Sequence, residues 1–465
     1  MYESLNIVIT SEVFLSIAVL SFILGGINLS TLKASIGIIF IVGSIIWADY
    51  FNFGLTLWGG YLTSSFFITN YWTFTCKFLI VIGSISILLM SVREEIIIQP
   101  TQSAPILVLI VGLSSLFLVS SIDWFSIYLV LELQTFILLI LVAVKKNSIY
   151  STEASLKYFI LGAVSSGLFL FGCVLLYGLT GSTSVQEINS NLTADVGKIL
   201  VTISLLFKLS VVPFHMWAPD VYEGSPTIIT ALLTTVPKIG VFSILVQIGP
   251  VTNVVLICAV LSIVYGAIGA LNQTKVKRLL AYSGIGHMGF ILFGIAIGSF
   301  ESIQAGLIYM VIYVIMSICS FSILLSLNLT KDFIIEVKEL SIINPVVAWT
   351  LAFAFLSTAG IPPLAGFLSK WLVLLSGVSS GYYLICSIIV VSSIIAGVYY
   401  VRVVQIVYFQ VESSILIWQR IFKRERTIEF SKSLLMGLTF FIILFLMVCP
   451  NFLLQIAHDA TISLY

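Results

Sequence analysis

Charge is what this sequence has least of. Only 9% of its 465 residues are Asp, Glu, Lys or Arg, against a hydrophobic share of 60% and a mean hydropathy of +1.17. Soluble domains carry about 25% charge, so a water-facing globule around an apolar core is excluded. Net charge is +1, which speaks against nucleic acid as a partner and against a polybasic role at a membrane surface. Cysteine is sparse and dispersed. Cys76, Cys173, Cys258, Cys319, Cys386 and Cys449 stand one per apolar stretch with no CxxC, and read as small hydrophobes, not as a metal or disulfide framework. The opening MYESLN has no basic residue before the first apolar run and lacks the Arg/Ser-rich amphipathic pattern of a transit peptide. The expectation is a protein made in a bacterium or inside an organelle.

What is present is apolar sequence in long runs. A bilayer crossing takes about 20 apolar residues, which leaves room for roughly fourteen. The runs and their punctuation place spans at 11–29, 34–48, 74–92, 105–121, 124–144, 155–179, 197–215, 226–248, 251–272, 279–299, 303–327, 345–375, 382–409 and 433–455. The reading is an all-α polytopic membrane protein forming a single transmembrane domain. Stretch 345–375 is too long for one straight crossing and contains GIPP at Gly360 to Pro363, which predicts a broken helix. Segments 49–72 and 330–343 read as ordered connectors, the second as an amphipathic piece along the surface.

Basic residues alternate by connector. Those after odd-numbered spans carry Lys33; Arg93; Lys145 and Lys146; Lys275, Lys277 and Arg278; Lys331 and Lys338; and Arg420, Lys423, Arg424 and Arg426. Those after even-numbered spans show Asp49, Asp123, Glu187, Asp195 and Glu301 instead. One odd connector, around Asp220 and Glu223, has no basic residue. The rule puts the basic loops inside and both termini outside.

Four charges fall deep inside apolar runs: Glu132, Lys208, Lys238 and Lys370. Glu132 lies about 13 Å along a helix from Asp123 and about 20 Å from Lys145, too far for easy snorkelling. At roughly 2.5–3.5 kcal/mol each, four such charges would cost about 10–14 kcal/mol without partners, internal water or neutral forms. Structural ion pairs are the plain alternative, yet three lysines and one glutamate cannot all pair, and at least one lysine must be neutral or hydrated. Two of the lysines sit beside helix breakers: Lys208 five residues before Pro213, Lys370 seven after Pro363. These belong to spans 7 and 12, five apart, so the chain divides into N-terminal helices 1–3 (1–100), a first five-helix unit (105–248), a second (251–409) and a last helix (433–455). An odd helix count inverts one unit against the other, and inverted repeats with broken helices in matching places point to an ion path at the membrane midplane.

GIGHMG, Gly284 to Gly289, matches GxGxxG in form but lies inside a spanning helix with no strand before it, and reads as tight helix packing. His287 within it stands as either a proton-relay member or a hydrogen-bonded structural histidine. His215, beside Pro213 and Trp217, reads as structural, and Arg402 as snorkelling from the end of span 13.

At FHMWAPDVYEGSPT, Phe214 to Thr227, the chain closely resembles the chain 2 (bacterial subunit N) family of respiratory NADH:ubiquinone oxidoreductase, complex I. The likeness continues through YFILGAVSSGLFLFGCVLLYGLTG (Tyr158 to Gly181), VKRLLAYSGIGHMGF (Val276 to Phe290) and GIPPLAGFLSKW (Gly360 to Trp371), and covers most of Asp123 to Tyr408. PDVYEGSP is specific to this family among its antiporter-like relatives. The resemblance implies a fourteen-helix fold with inverted repeats. It also implies a proton relay: Glu132 on the fifth helix paired with Lys208 on the broken seventh, Lys238 central on the eighth, and Lys370 on the broken twelfth facing the exit. It implies no redox centre or other cofactor on this chain, and as partners the other membrane-arm subunits, the lipid bilayer and an internal water chain. A Na⁺/H⁺ antiporter subunit and a non-conducting scaffold are the alternative functions. The mitochondrial inner membrane is the expected compartment, with a bacterial plasma membrane as the alternative.

Overall fold

Hydrocarbon offers backbone N–H and C=O groups no partner, and an α-helix satisfies them within itself. The apolar runs accordingly become helices. The computed structural model describes residues 11–24, 31–55, 61–62, 67–92, 104–145, 148–185, 195–327, 332–338, 340–409 and 428–464. In chain order the helices are α1 (Ser11–Leu24), α2 (Thr31–Leu55), α3 (Tyr71–Met90), α4 (Ala104–Ser120), α5 (Trp124–Val142), α6 (Ile149–Thr180) and α7 (Asp195–Lys208). There follow α8 (Trp217–Gly224), α9 (Thr227–Thr234), α10 (Val236–Ile248), α11 (Thr252–Leu271), α12 (Val276–Ile297) and α13 (Phe300–Leu327). The remainder is α14 (Leu340–Ile343), α15 (Pro345–Ala359), α16 (Ala365–Ser379), α17 (Tyr383–Phe409), α18 (Phe430–Val448) and α19 (Asn451–Ile462). A short antiparallel ribbon, β1 (Tyr61–Leu62) against β2 (Ile68–Thr69), precedes α3. Ten described segments are long and apolar enough to cross a membrane, with α9 and α10 taken together, and α1, α4, α15 and α16 are shorter apolar helices. The all-α polytopic fold expected from the runs is the one present.

The break in stretch 345–375 falls where GIPP predicts it. Asn344 accepts a hydrogen bond from Val347 N at 3.5 Å to start α15, and Gly360, at φ +85°, closes it. Its partner half, α16, begins at Ala365. Span 197–215 ends early. Helix α7 stops at Lys208, Ser210 turns to φ 58°, and the chain then re-forms a separate helix, α8.

Two expectations need correction. Stretch 226–248 is not one straight helix: it breaks at Thr235 (φ −110°, ψ −83°), because Pro237 supplies no N–H and is tolerated only in the first turn of a new helix. Stretch 433–455 ends as α18 at Val448; Pro450 separates it from α19, which runs on to Ile462. Within segment 330–343 the described residues form a 3₁₀ turn at Ile334–Val337 and the single turn of α14, with Ile334, Val337 and Leu340 buried and Ile335 and Ile342 exposed. Arg93, Lys146, Glu187, Lys331 and the cluster Arg420, Lys423, Arg424 and Arg426 lie outside the described residues.

Burial separates helices that composition does not. Almost all of the stretch Thr227–Ile248 and most of α13 are buried, while only about a quarter of α6 and under a third of α17 are. Leu170, Phe171 and Val174 of α6 and Val391, Ile394 and Val398 of α17 are exposed and face the surrounding apolar medium. The centre of the bundle is therefore α4, α9, α10, α12 and α13.

Candidate functional site

Glu132 and Lys208 meet between α5, α6 and α7. Thr135 Oγ1 donates to Glu132 Oε2 at 3.4 Å, and Glu132 Oε1 is buried without a hydrogen bond. Among the described residues Glu132 makes no direct ion pair with Lys208. Both line a cavity of about 10 Å³ with Tyr128, Ser165, Ser166 and Ser204, about the smallest that holds one water. A single-water bridge is thus the arrangement the geometry allows. Lys208 closes α7, whose last carbonyls need other donors. Trp217 Nε1 supplies one to Phe207 O at 3.1 Å.

Lys238 sits three residues after the Thr235 break and is 2% exposed. Among the described residues its ammonium has no hydrogen-bond partner, and it faces the rings of Tyr222 and Tyr313, 5.8 and 5.7 Å from their centroids. The wall opposite is Gly284, where a methyl group would stand 3.7 Å from Lys238 Nζ and 3.2 Å from Tyr313 Oη. GIGHMG is accordingly a packing motif with a second use. Gly289 touches α11, since a Cβ there would meet Ser262 Oγ at 2.1 Å, while Gly284 leaves room beside the lysine.

His287 is held at both ring nitrogens. Nδ1 shares a hydrogen bond with Tyr309 Oη at 2.8 Å and Nε2 one with Tyr400 Oη at 3.2 Å. Its ring stands 5.5 Å from that of Tyr313, which links it toward Lys238. On its other side it lines a cavity of about 20 Å³ with Ser283, Thr358, Ser392 and Lys370. Lys370 reaches back across the break to the end of α15, donating to Ala359 O at 2.6 Å and Thr358 O at 3.2 Å. A cation suits a helix C-terminus, where free carbonyls gather. Gly360 is required there twice, for its positive φ and because any Cβ would stand 2.8 Å from Lys370 Cδ. All three lysines thus stand at helix breaks, and Tyr313 and His287 join the second to the third. His215 packs on Tyr265 at 4.4 Å, and Arg402 donates to Leu271 O at 3.1 Å at the end of α11.

The structure also buries charges that the apolar runs did not flag. Lys77 and Glu12 form an ion pair at 2.5 Å with side chains 3% and 6% exposed, and Ser120 Oγ donates to Glu12 at 3.2 Å. Lys77 looked like a span-end residue because its apolar run starts at 74; α3 in fact starts at Tyr71, and α1 and α4 cover it. Opposite charges at similar depth in neighbouring spans were the available signal. Removing one partner of a buried pair costs about 3–5 kcal/mol, and replacing both by apolar residues is often neutral. Lys77→Met alone should therefore lower thermal stability or assembly, and Glu12→Leu with Lys77→Met should restore it. Equal stability of the single variant and wild type, in a melting assay, would count against the clamp.

The odd connector that lacks basic residues is neutralised by its neighbours. Asp220 pairs with Lys157 at 2.7 Å and Arg278 at 3.3 Å, and Glu223 pairs with Lys275 and, at 3.2 Å, Arg278. Lys277 pairs with Asp332 at 2.9 Å. These contacts put the connectors after spans 7 and 9 at the same end of the bundle, as the alternation requires.

Comparison with known proteins gives the following. The family described as NADH:quinone oxidoreductase/Mrp antiporter, TM, matches residues 121–396. NADH-ubiquinone oxidoreductase chain 2 of Metridium senile is 55% identical over 78% of this chain and 98% of its own length. NADH-quinone oxidoreductase subunit N 1 of Rhizobium meliloti (strain 1021) is 39% identical over 72% of this chain and 74% of its own. Among solved structures, a chain of respiratory complex I from Thermus thermophilus superposes with TM-score 0.82, at 24% identity over 96% of this chain and 98% of that one. A chain of the Mrp complex from Dietzia sp. superposes with TM-score 0.84, at 17% identity over 99% and 98%. At those identities the two structures attest the fold alone.

Proposed function

This chain belongs to the NADH:quinone oxidoreductase/Mrp antiporter transmembrane family, and from that premise we propose that it is a proton-translocating membrane-arm subunit of respiratory complex I. NADH oxidation and ubiquinone reduction take place elsewhere in the complex, and this chain serves the enzyme as a non-redox subunit. One observation carries the reading: Lys238 is buried in the centre of the bundle with no ion-pair or hydrogen-bond partner among the described residues. A scaffold gains nothing from such a residue, because an uncompensated buried charge is destabilising. A relay needs a group that gives and takes a proton readily.

In this mechanism the Glu132 carboxylate stabilises a protonated Lys208 across their shared cavity. When charge displacement in a neighbouring subunit weakens that pairing, the proton moves along internal water to Lys238. Tyr313 and His287 carry the path on to Lys370, which the α15 carbonyls hold at the exit. Spans 4–8 and 9–13 act as the two inverted halves of the path. A Na⁺/H⁺ antiporter subunit is the alternative; PDVYEGSP and the 55% identical chain 2 favour complex I.

Purification through an affinity tag tests the assignment. The chain should bring down NADH:quinone reductase activity, and its recovery with cation antiport activity alone would overturn the proposal. Sidedness is testable in sealed vesicles of the mitochondrial inner membrane, or of the plasma membrane for a bacterial source. A tag after Tyr465 should be protected inside when the basic loops face out, and reachable when the vesicles are inverted to the opposite sense.

A further inference from the structure

PDVYEG, the motif most specific to this sequence, is not used by the relay just described. It forms α8, an eight-residue helix lying between the end of α7 and the start of α9. One stripe of it is buried: Trp217, Ala218, Val221 and Tyr222. The opposite stripe carries Asp220 and Glu223, held by Lys157, Lys275 and Arg278. Tyr222 is 1% exposed as a residue, and its hydroxyl is buried without a hydrogen bond among the described residues. A tyrosine hydroxyl in a core normally finds a partner, and packing alone would be served better by phenylalanine. The other orphaned group here is the ammonium of Lys238, 5.8 Å from the Tyr222 ring centroid. Two buried polar groups this close, each without a hydrogen bond among the described residues, are satisfied at lower free energy by one shared water than by none.

We infer that Tyr222 is the positioning residue of the Lys238 proton site, holding the lysine's water through its hydroxyl while the ion pairs of Asp220 and Glu223 hold α8 in place. The inference rests on the relay reading of Lys238. It also accounts for the ion pairs themselves: they lie at the end of the bundle, and α8 is the rigid link from them to the central lysine.

A double-mutant comparison in the assembled, membrane-embedded complex tests this, with NADH:quinone turnover and proton pumping as readouts. Tyr222→Phe keeps the ring and removes the hydroxyl. Against native Lys238 it should lower turnover about tenfold, the effect of losing one hydrogen bond to a charged group. On a Lys238→Met background it should lower turnover no further, because the group it serves is gone. Native turnover in Tyr222→Phe, with Lys238→Met impaired, overturns the positioning role and leaves the relay standing. Equal losses on both backgrounds also overturn it, since Tyr222 would then act elsewhere. If Lys238→Met is itself silent, the relay reading fails and this inference with it. Should Tyr222→Phe not assemble, Glu223→Gln decides by the same comparison, as it loosens α8 without touching the core. A loss seen only beside Lys238 supports the inference, and native turnover or an equal loss on both backgrounds overturns it.

Discussion

Lys238→Met should leave the complex assembled and lower proton pumping and NADH:quinone turnover together, by about tenfold or more. A positioned proton-transfer group contributes on the order of 10²–10⁴ in rate, and water alone recovers part of that. Methionine keeps the apolar stem and the length while deleting the amine. The environment predicts little folding penalty: among the described residues Lys238 makes no direct hydrogen bond and no ion pair, so its replacement breaks neither. The two rings beside it accept a thioether as readily as an ammonium. This separates the relay from a mere buried charge, whose removal should be neutral or mildly stabilising with function intact. The deciding measurement is protons translocated per electron together with turnover in assembled complex. Native values of both would reject the relay role.

Glu132→Gln should be nearly as damaging. The amide keeps the shape and can still occupy the cavity shared with Lys208, Ser165 and Ser204, but it no longer supplies a negative charge to the lysine. Leaving one member of a buried pair uncompensated costs about 3–5 kcal/mol, discounted here because the two groups face each other across space for a water. A tenfold loss of turnover, about 1.4 kcal/mol, is the expected scale. Glu132→Asp, which retains the charge one methylene further back, should fall between. The signature is coupling: Glu132→Gln combined with Lys208→Met should be no worse than either alone. Additive losses, measured as turnover of purified complex, would mean that the two residues act on separate steps.

How much of this is legible in the sequence differs by residue. Glu132, Lys208, Lys238 and Lys370 announce themselves because a charge amid apolar neighbours is costly in lipid wherever the helix packs. The Gly360 break is equally plain, since GIPP forbids a continuous helix. The Thr235 break is not, because Pro237 stands in the middle of an otherwise apolar run, where a lone proline is compatible with a kinked but continuous helix as well as with a break. Glu12 and Lys77 are hidden for a related reason: a charge near a span end reads as exposed, and only the packing of α1, α3 and α4 shows the two facing each other at 2.5 Å.

The sequence by itself determined the solvent, the element type and the cost of each buried charge, since all three follow from local composition and from backbone groups that hydrocarbon cannot satisfy. It also carried the family, through PDVYEGSP and its companion motifs. Only the tertiary structure decided which helices are central. Both α6 and α13 are long, apolar all round and nearly equal in mean hydropathy, yet only about a quarter of the residues of one are buried and about three quarters of those of the other. In a bilayer, lipid tails and neighbouring side chains are equally apolar partners, so hydropathy does not tell a core helix from a rim helix. Packing of small residues and the few polar contacts make that choice, and they depend on which helix lies next to which. The same holds for Tyr222, whose ring only the packing of α8 sets 5.8 Å from the Lys238 ammonium.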